Sequence, residues 1–74
     1  MKKLISFTFD QPAGQNFTPS AKMYEYAKQN HYEISHRYFN TFIKIHGIEY
    51  TYHHYHIEPL TDGTEKVTIY LEEN

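Results

Sequence analysis

Two β-rich runs meet at a two-residue turn in the middle of this chain, and their spacing leaves few folds open. Phe39-Asn40-Thr41-Phe42-Ile43-Lys44-Ile45 leads into His46-Gly47. Ile48-Glu49-Tyr50-Thr51-Tyr52-His53-His54-Tyr55-His56-Ile57 follows. Tight hairpin turns need positive φ, which glycine supplies freely and histidine tolerates better than most residues. A loop at His46-Gly47 sets Ile45 opposite Ile48, Lys44 opposite Glu49, Ile43 opposite Tyr50 and Thr41 opposite Tyr52. The apolar set then shares one face, and Lys44 meets Glu49 on the other. A slip of one residue would turn every apolar side chain to solvent, so the register is firm.

Beyond Tyr52 the apolar positions become Tyr55 and Ile57, so the alternation changes phase across His53-His54. A β-bulge there absorbs one residue. In that register Phe39 faces Tyr55 on the inner surface. His36, Tyr38, Phe42, His54, His56 and Glu58 are expected on the outer one.

The flanking segments follow the same kind of argument. Residues 2–9 alternate as a half-buried strand, with Ile5, Phe7 and Phe9 on one face. Gln11 to Asn16 holds Pro12 and Gly14 and reads as a loop. Thr18 suits a helix N-cap and Pro19 the first helical position. The helix is expected to run to about Asn30, with Met23, Tyr24, Ala27 and His31 inward. From Tyr32 the chain is expected to be strand as far as Ile45. A loop at Thr61-Asp62-Gly63 with Gly63 left-handed pairs Leu60 with Thr64, Glu58 with Lys66, Ile57 with Val67 and Tyr55 with Ile69. The last strand, Lys66 to Glu72, turns Val67, Ile69 and Leu71 inward and shows Thr68, Tyr70 and Glu72.

The expected fold is therefore α+β, a single domain over residues 1–74 in the order β-α-β-β-β. An antiparallel meander and an N-terminal strand form a four-stranded sheet with one helix on one face. A right-handed crossover would make the first strand parallel to a neighbour, either the second strand or the last. At 74 residues such a domain buries only about 60% of its unfolded surface, so it needs a dense core, a staple or a partner subunit. No cysteine is present, which removes disulfides and thiolate metal sites and fits a reducing compartment. The apolar run after Lys2-Lys3 is short for a signal peptide and ends in Asp10. It is expected to be a strand of a cytoplasmic protein. No segment approaches the length of a transmembrane helix.

The formal net charge of −2 is poor footing for a duplex DNA binder, whose affinity rests on neutralising phosphates. Protonating all six histidines would move the charge from −2 to +4. Four kinds of chemistry then compete for the unusual His- and Tyr-rich surface. Neutral imidazoles and a carboxylate can bind Zn²⁺, and His36, His54, His56 and Glu58 are the candidate ligands. The dense zinc motifs are absent, so neither metal nor cofactor is expected. An acid–base nuclease would draw on His36, Arg37, Tyr38, His54, His56 and Glu58. Arg37, however, is expected to point inward or sideways, away from His36 and His56. The chain shows no nucleophile with an evident base and no phosphate loop, so no catalytic residue is assigned and no enzyme is expected. Tyr38, Phe42 and Tyr70 on an open face suit the stacking of single-stranded nucleic acid, but no basic stripe runs beside them.

The leading expectation is a small cytoplasmic, non-enzymatic module of the accessory or inhibitor type that bacteria and phages encode. It would bind a protein partner through the outer face or an edge strand, with Tyr38, Phe42, His54, His56 and Tyr70 as the binding residues. Eight tyrosines and five phenylalanines are more than so small a core can hide. A homodimer fits the same surface, nucleic acid is the less favoured partner, and no membrane association is expected.

Overall fold

A computed structural model describes residues 2–74. The sequence runs β1 (Leu4–Pro12), α1 (Pro19–Asn30), β2 (Glu33–Arg37), β3 (Asn40–Ile45), β4 (Ile48–Pro59) and β5 (Thr64–Glu73). The fold is α+β as expected: a strand, a helix, then an antiparallel meander, with the helix against one face. One sheet in the order β1-β5-β4-β3-β2 holds all five strands.

The fifth strand comes from the run between Tyr32 and Ile45, which is two strands and not one. Tyr38 and Phe39 have φ of 53° and 65°, and the chain reverses there, so that Arg37 pairs with Asn40 and His36 with Thr41. This reversal re-faces β2. Ile34 lies opposite Ile43 and packs on the core, and His36 shares the helix side with Thr41. Ser35 and Arg37 point to the open side. Phe39, expected opposite Tyr55, instead sits in the turn.

The first strand also departs from expectation. It pairs antiparallel with β5, from Leu4 opposite Glu72 to Pro12 opposite Thr64. Alternation across the sheet makes β1 and β2 run in the same direction, but they form opposite edges. The connection through α1 therefore spans the whole sheet rather than joining neighbours.

The other pairings are those the sequence implies, except that the β3–β4 ladder ends at Phe42 opposite Thr51, short of the expected Thr41–Tyr52 pair. His46 and Gly47 have φ of 50° and 83°, and Ile45, Lys44 and Ile43 face Ile48, Glu49 and Tyr50. The β4–β5 ladder shifts register between Tyr52 and His54. It then continues with Tyr55 opposite Ile69, Ile57 opposite Val67 and Glu58 opposite Lys66. Gly63 has φ 83°, and the Leu60 N–H donates to the Thr64 carbonyl at 3.0 Å. Asp62 accepts from both the backbone N–H and the hydroxyl of Thr64, which holds its carboxyl below the usual range.

The core lies between α1 and the sheet. Met23, Ala27, Ile43, Tyr50, Val67, Ile69 and Leu71 are buried, with Ile5, Phe7, Phe9, Phe17, Tyr26, Tyr32 and Ile34 around them. Tyr26 takes the inward place expected of Tyr24, stacking on Phe7 with ring centres 4.3 Å apart, and Tyr24 is exposed. His31 is exposed too: it caps the helix in the left-handed conformation and does not pack inward. Burial and the neighbouring Tyr32 push the Tyr26 hydroxyl pKa up. The loop after β1 is pinned by buried Glu65. Its carboxylate accepts from Gln11 Nε2 at 2.7 Å and from the Gly14 N–H at 3.2 Å. That anchor delivers Phe17 onto Phe9 and Tyr55. Among the described residues no helix is long and apolar enough to cross a membrane.

Candidate interaction surface

β4 is twice as long as its neighbour on one side. Its twelve residues pair with β5 along nearly their whole length, but the six residues of β3 reach only from Ile48 to Thr51. The second half of β4 thus has a strand on one side and none on the other. Which backbone groups face the gap follows from the hairpin. Leu60 and Thr64 form a hydrogen-bonded pair, so His54, His56 and Glu58, at steps of two along the strand, also direct their amides at β5. Tyr55 and Ile57 direct theirs away from it, into solvent. Pro59 has no N–H and sits at the next outward position, where an edge strand tolerates it.

Uncovered apolar side chains gather around this edge. Of the nine large hydrophobic or aromatic side chains exposed among the described residues, six belong to it: Tyr38, Phe39, Tyr52, Tyr55, Ile57 and Leu60. Tyr38 is 86% exposed and Phe39 fully so. A shallow cleft of about 240 Å³ lies between the start of α1 and the turn, lined by Met23, Phe39, Thr41 and Tyr52. Another of about 250 Å³ lies where Phe17 approaches Tyr55 and Ile57. Partial burial and the nearby Tyr55 raise the Tyr52 hydroxyl pKa.

The open face of the sheet is organised differently from the expectation. Bulging brings His53 as well as His54 to this face. One Nδ1–H donates to the other ring's Nδ1 at 2.6 Å, and His53 Nε2 lies 3.2 Å from Glu72. His54 stacks on Tyr70 with ring centres 4.5 Å apart and planes 8° from parallel. His56 and Glu58 continue along the same face, opposite Thr68 and Lys66. Phe42 is also on this side but only 8% exposed, because the Arg37 guanidinium covers it at 4.3 Å. That guanidinium donates to both Glu49 oxygens, at 2.7 and 2.9 Å, and to Ser35 Oγ at 3.0 Å. The pairing raises the Arg37 pKa and holds the Glu49 carboxyl below its usual range.

These positions separate the residues that the sequence grouped. His54, His56, Glu58 and Tyr70 share a face. His36 lies on the helix side, with Nδ1 2.9 Å from Thr41 Oγ1, and cannot join them around one ion. Tyr38 is in the turn, beyond the sheet face. Among the described residues no three His, Asp or Glu side chains converge as metal ligands would. Arg37, expected to point inward or sideways, is committed to Glu49 on the open face, away from His36.

His53, Phe39, Tyr55 and Ile57 are members of the surface that the sequence did not nominate. The sequence carried no signal for them: read as one strand from Tyr32 to Ile45, the neighbouring run is long enough to cover β4, and only the reversal at Tyr38–Phe39 shortens β3 to six residues. Comparison with known proteins adds no further constraint, since no family model, no curated protein and no solved structure matches the chain.

Proposed function

We propose that the protein is a small non-enzymatic binding module that acts stoichiometrically by taking an extended segment of a protein partner against the open half of β4. One observation carries this: the strand edge at Tyr55 and Ile57 is unpaired and bordered by uncovered aromatic side chains. A segment added there would gain main-chain hydrogen bonds, and its alternate side chains would enter the two clefts. The turn supports the same surface. Left-handed φ costs a non-glycine residue about 1–2 kcal/mol, and Tyr38 and Phe39 bear it without burying their rings. Such strain fits a turn kept for what its side chains meet outside the chain. The cysteine-free composition fits a cytoplasmic setting.

Selection of a displayed peptide library on the purified protein tests this. Enriched peptides are expected to be extended and apolar at alternate positions. Their binding should fall at least about tenfold for Tyr55→Ala/Ile57→Ala and for Phe39→Ala. Peptides that bind these variants as well as the parent would remove the β4 edge as the binding surface.

A further inference from the structure

We infer that a second copy of this chain occupies the open half of β4, joining two five-stranded sheets into one across a two-fold axis at His56. The inference rests on the β4 edge being an interaction surface, and it names the partner that edge fits.

A two-fold axis perpendicular to a sheet makes neighbouring edge strands antiparallel. It requires a residue to face its own counterpart, so that inner and outer faces match. Centred on His56, Tyr55 lies against the partner's Ile57 and Ile57 against the partner's Tyr55. Each is an aromatic–β-branched pair on the inner face, formed at the positions whose amides point outward. On the outer face His54 lies against the partner's Glu58, and Glu58 against the partner's His54. An imidazole N–H can donate to the carboxylate across each such pair. The edge is thus complementary to itself in charge and in apolarity.

Other centres lose this match. Centred on Tyr55, His54 meets the partner's His56 and Ile57 meets the partner's His53. Centred on Ile57, Tyr55 meets the partner's Pro59 and His54 meets the partner's Leu60.

A pair centred on His56 brings the partner's Pro59 opposite His53, so the partner's chain must turn out of the plane of the sheet there to clear the Tyr38–Phe39 turn. The Tyr38–Phe39 turn and the bulge bound the edge at one end, and Pro59 bounds it at the other. That leaves His54 to Glu58. β1 also has a free edge, but its apolar side chains Phe7 and Phe9 are already covered by Tyr26, Phe17 and Lys22. An interface this small places the pair among weak dimers whose formation depends on protein concentration.

The test is sedimentation equilibrium on the full chain, on His54→Glu, on Glu58→Lys and on a one-to-one mixture of the two variants. Backbone NMR spectra of each variant establish that the fold is kept. The parent is expected to dimerise and each variant to associate about tenfold more weakly, while the mixture recovers a heterodimer. The recovery is the decisive feature. Each homodimer of a variant carries two altered pairs, whereas the heterodimer keeps one parent pair, Glu58 of the first variant against His54 of the second, and sets the introduced carboxylate against the introduced ammonium at the other. A chemically synthesised chain with N-methylated Ile57 keeps every side chain and is expected to be monomeric.

A parent chain monomeric up to about 1 mM, or a mixture that associates no better than its components, would overturn the inference. The library selection scores the binding surface separately. A monomeric parent that still binds selected peptides through Tyr55 and Ile57 would remove the second copy and leave the module.

Discussion

Arg37 and Glu49 show how much a single side chain can change a surface. The guanidinium lies over Phe42 and grips both oxygens of Glu49, so the one arginine of the open face is neither a free cation nor a neighbour of His36. Sequence spacing placed Arg37 on the wrong side because it took β2 and β3 as one strand, and a single reversal inverts the parity of everything before it. The pairing has a pH signature. The Glu49 carboxyl is held below its ordinary range in the folded state, chiefly by hydrogen bonds from Arg37. The stability it contributes is present above the unfolded-state pKa and is lost as pH falls through the lower, folded one. Thermal unfolding from about pH 7 to about pH 3 should show the parent losing its advantage over Glu49→Gln on the acid side. Equal acid sensitivity in the two proteins would mean that the ion pair is broken in solution.

At the scale of the element, the two turns flanking β3 explain what the sequence revealed and what it hid. His46-Gly47 was readable because glycine marks left-handed φ, and the hydrophobic parity on both sides agreed with it. The bulge at His53 was readable from parity alone. The Tyr38–Phe39 turn has similar φ values but carries them on two aromatic residues that ordinarily favour strands, so nothing local marks it. Tyr24 was misplaced for a related reason: nearby aromatics at 24 and 26 are both compatible with an inward stripe, and the stack on Phe7 chooses the second. Replacing Tyr38-Phe39 by Asn-Gly should stabilise the hairpin by about 1 kcal/mol or more, because both new residues adopt positive φ readily. The same change should weaken binding of selected peptides. A variant with higher thermal stability and undiminished binding would separate the strained turn from function.

The whole molecule is defined by an imbalance of strand lengths. β4 and β5 are long, β3 and β2 are short, and the helix with the Phe17 loop covers what lies beneath it. The α+β class, the single helix and the β4–β5 register could be read from hydrophobic parity because one sheet face is buried, which makes register costly to change. The position of β1 could not be read, since an alternating strand fits any edge. The split of β2 from β3 left the extent of the open edge equally hidden. That edge is the surface on which the proposed binding rests, and the clefts beside it are shallow and open.

Amide hydrogen exchange read residue by residue along β4 tests this most directly. His54, His56 and Glu58 bond to β5 and should exchange slowly at every protein concentration. Tyr55 and Ile57 should exchange quickly in dilute solution. They should become slow when the protein is concentrated or when a selected peptide is added. Fast exchange at Tyr55 and Ile57 under all of these conditions, or slow exchange already at the greatest dilution, would contradict an open edge that another strand completes.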